Sequence, residues 1–220
     1  MARIVFDLDG TLIDSAPDIR GVANAVLESD GLSPISLGQT RDFAGNGVGL
    51  FVERMRIARG IPDTEHDRIL AEFIRLYEDA VTLTRVYPQV ERTLQMLLDA
   101  GHVLGICTNK PLRPCRAVLA HLGLDRFFHT IWGGDSLPVR KPDPAPLVAA
   151  FDALPAGQDI FVGDSEIDAE TAARAGIPFL LFSEGYRKRP VAEIPHHAAF
   201  ADFAELPRLV DRLTAGHPTL

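Results

Sequence analysis

Lysine is almost missing from this chain: of 22 basic residues, only Lys110, Lys141 and Lys188 are lysines. Cysteine is as scarce. Cys107 and Cys115 stand alone in 220 residues, which excludes a disulfide framework and suits a reducing cytoplasm. Long apolar runs are lacking too, since stretches such as Ile177 to Phe182 fall far below the roughly 18 residues of a membrane helix. Asp7 interrupts the segment where a secretory leader would place its apolar region. Excess positive charge is absent, and a net charge of −8 argues against a broad nucleic-acid or anionic-membrane surface. A local positive site for a small anion stays compatible with that balance. The expectation is a soluble cytoplasmic protein, monomer or homodimer, with no nucleic-acid or membrane partner.

What is present is a rhythm. Short apolar runs recur at Ile4-Val5-Phe6, Val103 to Cys107, Phe127 to Trp132, Ile160-Phe161-Val162 and Phe179 to Phe182. Helical patterns separate the later ones, at Val90 to Ala100, Arg113 to Leu122, Ala145 to Leu154 and Ile167 to Ala175. Buried strands alternating with amphipathic helices predict an α/β fold, a Rossmann-like parallel sheet built from βαβ crossovers. Residues 15 to 84 break the rhythm. Ile19, Val22, Ala23, Val26 and Leu27 follow helical spacing, as do Ile69, Phe73, Leu76 and Tyr77, and a simple crossover needs far fewer residues. The pattern predicts an inserted all-helical cap over residues 15–84 on a core of residues 1–14 and 85–220, hinged near Asp14 to Pro17 and Thr82 to Tyr87. The tail after Ala204 predicts a closing helix.

In parallel sheets, ligands bind beyond the carboxyl ends of the strands. Four such ends here carry chemistry: Asp7, Asp9, Gly10 and Thr11; then "CTNKP" with Thr108, Asn109 and Lys110; then Lys141 in "VRKPDP"; then Asp164 and Asp168 in "VGDSEID". Clustered carboxylates call for a hard divalent cation, and Mg²⁺ sharing substrate phosphate oxygens fits such a set. A lysine beside them suits a phosphate oxygen. One carboxylate of the first pair can attack phosphorus, and the other can protonate the leaving alcohol and then activate water.

"DLDGTLIDS" with Thr108, Lys141 and "GDSEID" resembles the signature motifs of the haloacid dehalogenase superfamily over residues 4 to about 182. The resemblance implies Asp7 as nucleophile and Asp9 as general acid/base. It implies Thr108 on the phosphoryl group, with Lys141 stabilising both nucleophile and phosphoryl oxygens. It places Mg²⁺ on Asp7, the Asp9 backbone carbonyl and Asp164, with Asp168 supporting from behind. "GTLIDSAPDI", "AGNGVGLFVERM" and "CTNKP" are similar to the bacterial phosphoglycolate phosphatase branch, implying a small phosphomonoester substrate, 2-phosphoglycolate.

Alternatives stay open beside this reading. Another small sugar phosphate, or a phosphosugar mutase reaction, uses the same motif set. A dehalogenase has no need of Asp9, a Schiff-base phosphonatase needs a cap lysine that residues 15–84 lack, and a non-catalytic module on this fold would usually lose part of the set. Gly10, Thr11, Asn109 and Lys110 are candidates for substrate contact, as are Asn46 and Gly47 in the glycine-rich cap stretch. Lys110 reads equally as a helix-start residue, and Gly45 to Gly49 as a structural turn. For a second anionic group on the substrate the candidates are Lys110, Arg187 and the Gly45 to Gly49 backbone. Cys107 reads as a buried strand residue, and His196-His197 as a surface loop.

Overall fold

The computed structural model describes residues 1–215. In chain order it runs β1 (Ala2–Phe6), β2 (Ile13–Asp14), α1 (Ala16–Ser29), α2 (Leu37–Phe43), α3 (Val48–Ala58), α4 (His66–Tyr77) and β3 (Arg85–Val86). It continues through α5 (Val90–Asp99), β4 (Val103–Cys107), α6 (Leu112–His121), β5 (Thr130–Trp132), α7 (Ala145–Asp152) and β6 (Gln158–Gly163). The last elements are α8 (Glu166–Ala175), β7 (Phe179–Phe182), β8 (Ala198–Phe200) and α9 (Leu206–Thr214). The helix expected after Ala204 is α9; residues 216–220 lie outside the described part.

Six strands form one parallel sheet in the order β5-β4-β1-β6-β7-β8. Strand β1 lies inside it, and its Ile4-Val5-Phe6 run is apolar because helices cover both faces. Ile4 and Phe6 pack into one core with Leu94, Val118 and Val210, while Val5 packs into the other with Leu147, Phe151 and Ala172. The sheet is thus an α/β Rossmann-like layer, as the alternation of runs and helical patterns predicts. Two strand features depart from that reading. The sixth strand, β8, follows no extended apolar run, and the run from Phe127 begins with a 3₁₀ turn (Asp125–Phe127), leaving only Thr130–Trp132 as strand. Cys107 is buried in the second core and burial raises its thiol pKa to about 12, so it is a packing residue rather than a nucleophile.

Helices α1 to α4 enclose a third core, with Phe51, Val52, Met55, Ile69 and Phe73 at its centre. The chain leaves and rejoins the sheet layer through a two-stranded antiparallel ribbon, Ile13 opposite Val86 and Asp14 opposite Arg85. A clamp holds the two crossings together. Buried Asp18 accepts hydrogen bonds from Leu83 N (3.0 Å), Thr84 N (2.7 Å) and Thr84 Oγ1 (2.6 Å). Removing that acceptor strands three donors, each costing about 1–3 kcal/mol when buried. Asp18→Ala is therefore expected to lower unfolding free energy by about 3 kcal/mol in urea titration, and Thr84→Val by about 1 kcal/mol. Equal small losses in both variants contradict the clamp.

Candidate active site

The turn after β1 sets the geometry. Leu8 O accepts from the backbone N–H groups of Thr11, Leu12 and Ile13, folding the chain back within one turn. Gly10 makes this possible with φ +92°, a region that side chains avoid. A Cβ there would lie 2.6 Å from Asp164 Oδ2, so Gly10 lets two carboxylate-bearing loops touch. Asp7 and Asp9 emerge on either side of Leu8.

Lys141 Nζ donates to Asp7 Oδ1 at 2.7 Å and to Asp168 Oδ1 at 2.6 Å, with all three side chains buried. The other oxygen of Asp168 accepts from Ser165 Oγ (2.6 Å) and Ser165 N (3.1 Å), within the capping box that starts α8. Both Asp168 oxygens are thereby occupied by protein donors. Asp164 has a different surrounding. Its oxygens accept only from Thr11 Oγ1 (2.8 Å) and Tyr186 N (2.5 Å), both neutral.

Oxygens of Asp7, Asp164 and Asp168 lie within 4.8 Å of one another, so three buried carboxylates crowd together while one ammonium pairs with two of them. Burial, ahead of the countering Lys141 charge and of repulsion from Asp168 and Asp9, pushes the Asp7 carboxyl up to about 7. Burial, with repulsion from Asp168 and Asp7, raises Asp164 as well. At Lys141 the balance tips the other way: burial disfavours the cation, but Asp168 and Asp7 outweigh it and raise its pKa. These directions describe one condition: negative charge in excess, with Asp164 lacking any cationic partner among the described residues. All-oxygen donors at this spacing fit a hard divalent cation such as Mg²⁺.

The insert covers this cluster. A cavity of about 70 Å³ lies between the two parts, with Asp7, Asp9, Thr108, Lys141 and Asp164 on one side and Ile19, Val48, Phe51, Phe73 and Tyr77 on the other. Lys110 Nζ sits 3.3 Å from Asp9 Oδ1, contacts the Tyr77 hydroxyl, and lies 4.2 Å from the centre of the Tyr77 ring. Ser15 Oγ donates to the same Asp9 oxygen at 2.6 Å. Although burial disfavours the Lys110 ammonium, Asp9 and Tyr77 raise its pKa, so it stays charged. Thr108 and Asn109 line the cavity as well. Asn109 Nδ2 donates to Gly45 O (3.0 Å) and Lys141 O (2.9 Å), stitching the insert's glycine turn to the core.

Of the residues expected to touch substrate, Asn109, Lys110 and Gly47 line the cavity, and Gly10, Thr11 and Asn46 do not. Gly10 and Thr11 are turned to Asp164 instead, and Asn46 Oδ1 accepts from Arg54 Nη2 at 2.9 Å. Arg187, a candidate for a second anionic group, does not line the cavity either; its neighbour Lys188 does. Sequence reasoning passed over Tyr77, Lys188 and Tyr186. Tyr186 connects the carboxylates to the hinge: its N–H donates to Asp164, its hydroxyl donates to Asp14 Oδ1 (2.6 Å) and accepts from Ala16 N (2.9 Å).

Known proteins place this arrangement. Residues 4–182 match the haloacid dehalogenase-like hydrolase family. A phosphoglycolate phosphatase of Cereibacter sphaeroides is 48% identical over 218 residues, covering 98% of this chain and 100% of that protein. A phosphoglycolate phosphatase of Rhodobacter capsulatus is 44% identical over 214 residues, covering 96% and 97%. The crystal structure of a predicted phosphoglycolate phosphatase from Haemophilus somnus superposes with TM-score 0.86 at 31% identity, covering 94% of this chain and 96% of that one. The chain belongs to the haloacid dehalogenase-like hydrolase family. By its kinship with these relatives it is an enzyme of the phosphoric monoester hydrolase class.

Proposed function

We propose that this enzyme is a cytoplasmic, Mg²⁺-dependent phosphatase that converts 2-phosphoglycolate and water to glycolate and phosphate through an aspartyl-phosphate on Asp7. The observation that carries the mechanism is the buried Asp7 carboxylate, held 2.7 Å from Lys141 beside the cation-poor Asp164 and lining the cavity. Asp7 attacks phosphorus, and the ester P–O bond breaks with its electron pair on the leaving oxygen. Asp9 gives that oxygen a proton, then takes one from water as the water oxygen attacks the acyl phosphate and frees Asp7. Lys141 and Thr108 steady the phosphoryl oxygens. Asp7, Asp164 and the Asp9 carbonyl would hold Mg²⁺, which when bound would supply positive charge to the transferring group.

Residues 15–84 act as the cap, and residues 1–14 and 85–220 as the core. The cap's apolar wall excludes water during transfer. The relatives named for phosphoglycolate support the substrate. Phosphate release with Mg²⁺ should give a kcat/KM for 2-phosphoglycolate at least about tenfold above those for triose, pentose, hexose and nucleotide monophosphates. A sugar phosphate as best substrate overturns the assignment. Conversion of β-glucose 1-phosphate to the 6-phosphate, given a bisphosphate primer, would point to a mutase.

Metal binding should release protons. Asp7, raised to about 7, and Asp164, also raised, must both be ionised to hold the cation. Titration calorimetry of Mg²⁺ near pH 6.5, in buffers of different ionisation enthalpy, should show net proton release and weaker binding as pH falls. Binding with no proton release contradicts this picture of the carboxylates.

A further inference from the structure

All three lysines of this chain line the same cavity. Two are committed: Lys141 to Asp7 and Asp168, Lys110 to Asp9 and Tyr77. Lys188 is not. Among the described residues its ammonium forms no ion pair and no hydrogen bond, and only its backbone is engaged, its N–H donating to Glu166 Oε1 at 2.7 Å. That backbone is well fixed. Two residues earlier Tyr186 N holds Asp164, and Arg189 N shares the Glu166 oxygen at 2.5 Å. Lys188 therefore stands at a set place relative to the carboxylate cluster. Its side chain is exposed to solvent although it lines the cavity, and its charged neighbours are Glu166 and, from the insert, Arg54 and Asp42. A cation that lines the cavity without a partner offers its charge to an anionic group on the substrate.

We propose that Lys188 takes the second anionic group of the substrate, a carboxylate at the end remote from phosphorus, and so makes the enzyme selective for phosphorylated small acids. This rests on the phosphatase reading above and names what that site recognises. Lys110, although it lines the cavity, is already balanced by Asp9.

The test compares ligands that differ only at the remote group. With Mg²⁺ present, calorimetry measures binding of phosphonoacetate and of ethylphosphonate to the wild type, Lys188→Met and Lys188→Arg. The wild type is expected to prefer phosphonoacetate by about tenfold or more, a preference that Lys188→Met cuts to about twofold and Lys188→Arg largely keeps. In turnover of 2-phosphoglycolate, Lys188→Met is expected to raise KM about tenfold with a much smaller change in kcat. Phosphate release from ethylene glycol monophosphate should lose at least about fivefold less of its kcat/KM in that variant. Equal binding of the two phosphonates by the wild type, or an undiminished preference in Lys188→Met, overturns the proposal. Failure of the wild type to release phosphate from any monoester overturns the phosphatase reading instead, and the phosphonate comparison still decides the role of Lys188.

Discussion

Asp7→Asn is expected to abolish phosphate release, by about 10⁴-fold or more, and at the same time to stabilise the metal-free protein. Loss of activity follows from loss of the nucleophile. The gain in stability follows from the raised pKa. A carboxyl that ionises at about 3.8 when free and about 7 when folded binds its proton more tightly in the native state. Its stabilising contribution is complete below about pH 3.8 and is lost as pH rises through about 7. At pH 8 the folded protein therefore holds an ionised, poorly solvated Asp7, and the neutral amide removes that burden. Thermal unfolding in chelator at pH 8 should show Asp7→Asn melting above the wild type by several degrees, on the order of 1–3 kcal/mol. The difference should shrink toward pH 5. A variant that melts below the wild type at pH 8 contradicts the placement of Asp7 in an excess of buried negative charge.

Lys141→Ala carries the second large effect, with the opposite sign for stability. Among the described residues this ammonium is the one cation touching Asp7 and Asp168, and it is buried with them. Removing one partner from a buried ion network leaves uncompensated charge, typically at a cost of about 3–5 kcal/mol. The metal-free variant should lose stability of that order above pH 7, and less below it as the carboxyls protonate. Saturating Mg²⁺ should restore part of the loss by binding the folded state alone. Activity should fall about 10²-fold or more even with Mg²⁺, because Lys141 also steadies the phosphoryl oxygens. Urea titrations with and without Mg²⁺ read the first effect, and phosphate release reads the second. An unchanged unfolding midpoint in chelator contradicts the central role of this lysine.

The elements that carry the carboxylates were legible because their signals are strong and local. Strands β1, β4, β6 and β7 each carry an apolar run, since both sheet faces are covered, and Asp7, Thr108 and Asp164 each stand directly after their strand. Ser165 as cap of α8 was legible for a similar reason: Ser-x-x-Asp before a helical pattern has a local meaning. What escaped was short or relational. Strand β8 is three residues, two of them alanine, and the β2–β3 ribbon is two residues on each side, too little for periodicity to register. Asp18 reads as an ordinary first-turn acid; its partners lie 65 and 66 residues away. Tyr77 looked like one more apolar position on α4 and is that, but its hydroxyl also reaches Lys110 across the cavity. Thr11 and Asn46 sat in the right phrases, yet side-chain direction sends one to Asp164 and the other to Arg54. The scarcity of lysine was the missed signal for Lys188. With so few in the chain, and two in motifs, the third invited the same question.

The most direct measurement is a single turnover of phosphate-labelled 2-phosphoglycolate with Mg²⁺, quenched in acid within milliseconds and mapped by peptide mass. Label should appear transiently on the peptide bearing Asp7 and decay as free phosphate rises, with none in Asp7→Asn. Turnover that proceeds with no covalent label, or with label on another side chain, contradicts the mechanism.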